Sequence, residues 1–362
     1  MDLFAYETHL SEKEKAILMD LLKYRVMTTE MIEKRYFPKK SNYINVLLHR
    51  MRKNGFIKSS ILKKSRKGRK GYAYHMITET GKECLIRHDL SVEGLGKTIY
   101  VHEYQVANLL LANEALLEYE SMGWQVWDSR KVKTTYNLDY RSNIQGLLIS
   151  PKGKEYGLYT LETRVTENVV GKIQQEISRN KEQIKNYMIL AKGADSYKLF
   201  IEYGIKENEQ NNKKALTTLG ELIIEPFNIN FVKRKTFRDE KEWIYRVCKK
   251  LNIKIKSMEM KETRQSFPVI VEYAGEEMYL VDVTDSDLNK YRDIQIYNKS
   301  ISNRTWEKGR RLLVITLGID TVANLMLDNN QELPYVEHIT IGGGMIQEIC
   351  QESKKDTDIV NK

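Results

Sequence analysis

Residues 57–71 have the sequence IKSSILKKSRKGRKG, which contains seven Lys or Arg side chains and no acid. They follow residues 41–54, where apolar residues recur at helical spacing, and they precede the alternating run YAYHMIT at 72–78. Gly55 ends the helical run, and the glycines of SRKGRKG permit the positive backbone angles of a tight hairpin tip. A helix followed by a basic hairpin predicts a winged helix-turn-helix whose wing is this hairpin.

Further helices are predicted on both sides of this segment. Ser11 and Glu14 form a capping box at the start of a first helix, whose apolar residues recur at helical spacing. Thr28 or Thr29 caps a short second helix. A last short helix at 78–90 then closes the domain.

The net charge of +10 is confined to this part of the chain. The first 100 residues hold 21 Lys and Arg against 11 Asp and Glu, whereas the remaining 262 residues hold 38 of each. A run of lysines is usually only a solvated face, but the concentration of the whole surplus in one small domain favours a polyanionic partner. We therefore predict that the N-terminal domain binds double-stranded DNA.

The helix at 41–54 is the predicted recognition helix. In a helix-turn-helix, the second helix of the pair enters the major groove, where Asn contacts adenine and Arg contacts guanine. The residues of this helix predicted to contact DNA are Ser41, Asn42, Tyr43, Asn45, His49, Arg50, Arg52 and Lys53. The alternative is that Asn42 and Asn45 are merely solvated polar residues.

The wing is predicted to contact phosphates or an adjacent minor groove. Its contact residues are Lys63, Lys64, Arg66, Lys67, Arg69 and Lys70. If about five of them bind phosphates, the logarithm of the affinity falls with the logarithm of the salt concentration at a slope of roughly −4 to −5. Such contacts position the protein without specifying a sequence.

The composition of the chain limits the class of protein and the cellular compartment that we expect. With 41% hydrophobic and 30% charged residues, the chain of 362 residues is typical of a globular protein of two or three domains. Its apolar runs are far shorter than a membrane-spanning helix, and the N-terminus lacks a signal-peptide pattern, so we expect a cytoplasmic protein without a membrane partner. Three widely separated cysteines predict neither a disulfide framework nor a metal cluster.

The rest of the chain predicts an α/β region, which makes the whole protein α+β. We expect a winged-helix domain at 1–95, a linker helix with a first α/β unit at 96–210, a second α/β unit at 211–352 and a disordered tail at 353–362. In the first unit, a hairpin at 143–164 precedes one helix over about 168–190 and a strand at 196–204. The second unit has a hairpin turned near Gly275, then a helix and a strand, and is either a repeat of the first or an independent unit.

This layout resembles the replication-relaxation family of proteins from plasmids and related mobile elements. The resemblance covers about residues 10–205 and is carried by the basic wing, YVHEYQVANLLL at 100–111, NIQGLLIS at 143–150 and YGLYTLETR at 156–164. It implies an N-terminal winged helix, a degenerate region similar to restriction endonucleases, and a role in plasmid replication or DNA transfer.

A restriction-endonuclease-like site requires a carboxylate on one strand and Glu-x-Lys on the next, because Mg²⁺ takes oxygen ligands. The match is incomplete here, since Gln145 stands in place of the first acid and Arg164 in place of the lysine, which leaves Glu162. Asp139 substitutes for the first acid only if the strand register differs. In the second unit, DVTDSD at 282–287 is better explained as a solvated turn or helix cap than as a metal site.

Three functions follow from these patterns. The first is a non-enzymatic protein of a plasmid, phage or integrative element that binds a specific DNA site in replication, transfer or transcriptional control. Such a protein is expected to be a homodimer that contacts replication, transfer or regulatory proteins, without a cofactor. The alternatives are a Mg²⁺-dependent nickase centred on Glu162, with Asp139 and Arg164, and a transcription regulator that responds to a ligand or peptide.

Overall fold

The protein forms two compact units of helices and strands. The computed structural model describes residues 10–39, 42–62, 71–90, 92, 99–205, 215–237, 239–258, 267–303, 309–318 and 333–360. The first unit is Met1–Tyr140 with Gln145–Pro151, and the second is Arg141–Ile144 with Lys152–Lys362. Several sheets are interspersed with helices, which confirms the α+β class. Among the described residues, none of the helices combines the length and apolar content needed to cross a lipid bilayer.

Three helices come first: α1 (Glu12–Tyr24), α2 (Thr29–Tyr36) and α3 (Tyr43–Lys53). The predicted capping box of α1 is confirmed, because the Ser11 hydroxyl accepts the backbone N–H of Glu14 while the Glu14 carboxylate accepts the backbone N–H of Ser11. Thr28 caps α2 by accepting the backbone N–H of Met31. The helix boundaries therefore follow local capping chemistry.

A three-stranded antiparallel sheet follows, with strands β1 (Met27–Thr28), β2 (Ile57–Leu62) and β3 (Tyr72–Ile77) in the order β1-β3-β2. The predicted pairing of β2 with β3 is confirmed. Gly55, with φ +75°, ends α3 as expected. The Thr78 hydroxyl accepts the backbone N–H of Gly81 and starts α4 (Glu79–Arg87). The two-residue strand β1 was not predicted.

Helix α5 (Glu103–Ser121) extends the first unit well beyond residue 95. The buried Asn113 amide donates hydrogen bonds to the carbonyls of Tyr24 and Val26, at 2.9 and 2.7 Å. Val106 of the same helix packs in one apolar cluster with Val26. Because α5 supplies part of the core around α1 and β1, the compact unit does not end at the boundary expected from the sequence.

The first unit ends with β4 (Gln125–Asp128), α6 (Ser129–Thr135) and β5 (Gly146–Ile149). Strands β4 and β5 pair antiparallel. The Asp128 side chain accepts the backbone N–H of Lys131 and so starts α6 directly after β4.

The second unit begins with three parallel strands, β6 (Glu155–Leu161), β7 (Asn186–Ala191) and β8 (Leu222–Pro226). Helix α7 (Glu167–Asn180) connects β6 to β7, α8 (Ala194–Ile205) lies between β7 and β8, and α9 (Phe227–Thr236) follows β8. These connections are typical of a parallel sheet with crossover helices.

The prediction of one helix over 168–190 followed by a strand at 196–204 is wrong. The helix ends at Asn180, and the apolar run at 186–191 is strand β7, which is buried between β6 and β8. Residues 196–204 are helical, and their buried side chains recur at helical spacing. A parallel strand buried on both faces is a continuous apolar run, so its periodicity does not distinguish it from a helix.

The second unit also contains a five-stranded sheet in the spatial order β13-β12-β11-β10-β9. Its strands are β9 (Lys254–Met258), β10 (Val269–Tyr273), β11 (Glu276–Val283), β12 (Leu312–Leu317) and β13 (Val336–Ile341). Strands β9 to β11 are antiparallel, whereas β11 to β13 are parallel. Its helices are α10 (Glu240–Lys250), α11 (Leu288–Ser302) and α12 (Gly343–Val360). The hairpin at Gly275, the following helix and the next strand are confirmed.

Two features of the second unit bear on the predicted domain plan. Helix α11 connects the parallel pair β11 and β12 as α7 connects β6 and β7, an arrangement in keeping with a repeat, which stays a prediction. Helix α12 extends to Val360, within the range 353–362 for which the sequence predicts a disordered tail, and that tail stays a prediction. Neither Pro nor Gly occurs in 345–360 to end this helix earlier.

Candidate nucleic-acid interface

Helix α3 separates a buried apolar face from an exposed polar one. Ile44, Leu47, Leu48 and Met51 are buried, at the spacing of one helix face. The described residues predicted to contact DNA from this helix are all exposed: Asn42, Tyr43, Asn45, His49, Arg50, Arg52 and Lys53. Because α3 contains no Asp or Glu, its exposed side carries only neutral and basic side chains.

Val46 lies in the middle of this exposed face. At 100° per residue, Asn42, Val46, His49 and Lys53 form one row opposite the buried residues. Val46 is 62% exposed. Sequence reasoning selected polar residues only and so missed it, although an apolar residue out of phase with the buried positions was a usable signal.

One flank of the exposed face is tied to α1. The Arg50 guanidinium bonds to the Glu14 carboxylate, with Nη2–Oε1 at 2.8 Å and Nε–Oε1 at 3.0 Å. Glu14 is almost fully buried and also closes the capping box of α1. This pair directs the Arg50 side chain towards α1, so its expected contact with guanine competes with a structural bond.

Aromatic contacts support the same flank. The Tyr43 ring packs edge-to-face on Phe37, with ring centroids 6.3 Å apart, and the Lys13 ammonium lies 4.3 Å from the centroid of Phe37. The start of α3 is thereby packed against Phe37, which directly follows α2 and is also contacted by Lys13 of α1. Tyr43 remains half exposed and keeps a surface for a ligand.

The opposite flank carries Asn45 and Arg52. The Arg52 Nη2 lies 3.3 Å from Nδ1 of His49, one turn earlier on the helix. Asn42 is the N-cap residue of α3, but its side chain makes no capping hydrogen bond. The amides of Asn42 and Asn45 are thus presented at the N-terminal end of the exposed face, where a recognition helix contacts base edges.

His75 links the hairpin of β2 and β3 to α2. The imidazole is 3% exposed, with Nε2 at 2.9 Å from the Thr29 hydroxyl and Nδ1 at 2.8 Å from the Ser59 hydroxyl. Burial, with a smaller contribution from the charge of Arg52, lowers the pKa of His75 to about 4. His75 is therefore neutral at physiological pH and joins α2, β2 and β3.

Acid should destabilise the first unit through His75. Because the pKa of His75 in the folded protein lies below its ordinary value, the contribution of His75 to the free energy of unfolding is fully present above about pH 6.5. This contribution is lost as the pH falls towards 4, at about 1.4 kcal/mol per pH unit. Urea unfolding of the wild type and His75→Asn at pH 7.5 and 5.0 should show the advantage of the wild type shrinking by about 2 kcal/mol. His49→Gln, at an exposed histidine, is the control and should follow the wild type. An advantage independent of pH would contradict a neutral buried imidazole.

The remaining predicted contact residues lie outside the described residues. They are Ser41, Lys63, Lys64, Arg66, Lys67, Arg69 and Lys70. Strands β2 and β3 lead directly to and from residues 63–70, so the basic run connects the two strands of the hairpin. Their contacts with phosphate stay a prediction.

The predicted nuclease residues are divided between the two units. Glu162 follows β6 and is half-buried, whereas Arg164 is exposed, and both belong to the second unit. Asp139 is exposed and belongs to the first unit. Within the part of the chain that the structure describes, no group of three or more His, Cys, Asp and Glu side chains is arranged to hold a metal ion.

The turn DVTDSD is buried, so its interpretation as solvated is wrong, whereas its interpretation as a helix cap is confirmed. The Asp287 carboxylate accepts the backbone N–H of Asn289 and caps α11. Burial, together with the neighbouring Asp285 charge, raises the pKa of Asp287 to about 7. Lys290 bonds to Asp285 at 2.8 Å, and the Trp243 indole N–H donates to Asp282 at 2.6 Å. These contacts give each of the three acids a structural role.

A second buried charge pair lies near this turn. Lys233 of α9 is 3.4 Å from the fully buried Glu225 carboxylate of β8 and donates to the Thr284 hydroxyl at 3.0 Å. The Asn230 amide also donates to Glu225, and the Lys233 ammonium lies 4.7 Å from the Trp243 ring centroid. This network links α9, β8 and the turn after β11.

No family model matches the sequence, and a search of the curated proteins finds no similar chain. A proposal of function therefore rests on the geometry of α3 and of the hairpin formed by β2 and β3.

Proposed function

We propose that the protein binds a specific site in double-stranded DNA through its N-terminal part, acting as a winged helix-turn-helix. Helix α3 enters the major groove in this proposal, and the basic run at 63–70, between β2 and β3 in the sequence, contacts the phosphates or a minor groove. A homodimer on two half-sites is the form we propose for the bound protein.

The observation that carries the proposal is the exposed face of α3. It presents amide, imidazole and cationic groups without a single carboxylate. The first 100 residues, which include α3, contain the entire charge surplus. Neutral donors and acceptors at the N-terminal end and cations towards the C-terminal end suit base edges and phosphates respectively.

The biological setting follows from the resemblance to replication-relaxation proteins. We propose an element such as a plasmid, phage or integrative element, in which the protein acts in replication, transfer or transcriptional control. The second unit then serves for dimerisation or for binding a partner protein. The Mg²⁺-dependent nickase centred on Glu162, with Asp139 and Arg164, and the ligand-responsive regulator stay alternatives.

Asn42 and Asn45 should determine discrimination between DNA sequences. After selection of a site from randomised duplexes, the double variant Asn42→Ala/Asn45→Ala should lower the preference for that site over a scrambled duplex by at least about 10-fold, since a bidentate contact contributes 1–3 kcal/mol. Competition binding at fixed salt measures this preference. The matched control is Asn168→Ala/Asn303→Ala, at exposed positions of the second unit, which should retain it. Selection without any consensus would overturn sequence-specific binding.

A further inference from the structure

We propose that Val46 is a specificity-determining residue that contacts the C5 methyl group of thymine, and that the bound half-site is rich in A·T pairs under α3. This inference rests on the proposed function and names the class of DNA that the surface selects. It follows from the position of Val46, from its neighbours and from the arrangement of the arginines.

The position of Val46 has no structural explanation within the helix. It is 62% exposed, whereas the apolar residues that anchor α3 lie on the opposite face. A β-branched residue at an exposed helical position also lowers helix propensity relative to Ala, Lys or Glu. A partner that covers Val46 supplies the burial that the folded chain does not.

The neighbours of Val46 identify that partner. Asn42 precedes it by one turn, His49 and Lys53 continue the same row, and α3 contains no acid. A protein surface of ordinary composition gains little from such a row, but the major groove of DNA matches it in charge. On the floor of that groove, the thymine C5 methyl is the apolar group that a side chain of this kind contacts.

The polar groups beside Val46 select the same base pair. Asn forms bidentate hydrogen bonds with adenine N6 and N7, so Asn42 and Asn45 complement the adenine whose partner is thymine. Guanine is contacted best by Arg, yet Arg50 bonds to Glu14 and Arg52 lies beside His49 on a flank. The centre of the face therefore favours A·T over G·C.

Replacement of thymine by uracil tests this contact, because it removes the methyl group and keeps the base pairing. With the full-length protein and the site selected above, each thymine is replaced in turn. Wild type should lose about fourfold in affinity at one thymine of each half-site, the effect of one buried methyl group. Val46→Ala should bind the thymine and uracil duplexes equally.

Val169→Ala is the matched control, because Val169 is also exposed on a helix but belongs to the second unit. It should keep the wild-type response to uracil. A G·C-rich consensus, or a uracil effect that persists in Val46→Ala, would overturn the inference while leaving site-specific binding intact. A selection that yields no consensus would instead overturn the proposed function itself.

Discussion

Replacing Lys63, Lys64, Arg66 and Lys67 together by Gln should weaken binding to every DNA duplex by about the same factor. Each lysine or arginine that neutralises a phosphate contributes about −0.9 to the slope of log affinity against log salt, so the slope should become shallower by about 3 to 4. At 150 mM salt we expect an affinity loss of about 100-fold. The ratio between specific and scrambled sites should change little, because phosphate contacts carry no sequence information.

The control for this variant removes the same number of charges elsewhere. Lys172, Arg179, Lys185 and Lys198 are exposed in the second unit, and their replacement by Gln should leave the salt slope nearly unchanged. Fluorescence anisotropy at four salt concentrations measures both slopes. If the wing variant kept its overall affinity but lost discrimination between sites, the assignment of affinity to the wing and specificity to α3 would be reversed.

Replacing Lys233 by Met should lower the free energy of unfolding by about 3–5 kcal/mol. The change leaves the carboxylate of Glu225 fully buried without its cation, and an unpaired buried charge is strongly destabilising. Urea denaturation followed by circular dichroism measures the loss. The double variant Glu225→Gln/Lys233→Met should recover most of it, because both charges are then absent.

An exposed ion pair of the same unit provides the comparison. Lys256 of β9 and Glu272 of β10 are paired at 2.5 Å, and both side chains are more than a third exposed. Lys256→Met should therefore have a much smaller effect, since water screens the charge that remains. Equal effects of Lys233→Met and Lys256→Met would show that the buried network contributes nothing beyond a surface pair.

Local signals in the sequence predicted the elements of the first unit well. Ser11 with Glu14, Thr78 and Gly55 each determine a helix end through one or two backbone hydrogen bonds or one positive φ angle. Such signals act within four residues and need no knowledge of the fold. The same holds for the hairpin turned at Gly275.

The sequence was insufficient to predict the structure where tertiary contacts determine the secondary structure or the partners of a side chain. Strand β7 and helix α8 were exchanged in the prediction, because burial on both faces of β7 removes the alternation that identifies a strand. Glu225 and Thr284 meet Lys233 from 8 and 51 residues away, so no spacing rule brings them together. The acids at 282–287 are likewise buried by contacts between residues that are distant in the sequence.

The polar residues of the candidate interface were predictable, but their arrangement was not. Helical periodicity alone placed Asn42, Asn45 and His49 on the exposed side, as the structure has them. The bond between Arg50 and Glu14 joins two helices, and it shows only once α1 and α3 are packed together. A pattern of hydrogen-bonding residues does not include Val46, because its side chain is apolar.

The hydrogen bonds from Asn113 to the carbonyls of Tyr24 and Val26 also define how the protein can be dissected. A fragment that stops at residue 95 keeps α3 and the hairpin but exposes these two carbonyls and the apolar side chains that α5 covers. Each lost hydrogen bond costs about 0.5–1.5 kcal/mol, and the apolar surface that is uncovered adds to this loss, which is a large fraction of the stability of a small domain. The smallest fragment suited to DNA-binding studies therefore includes α5.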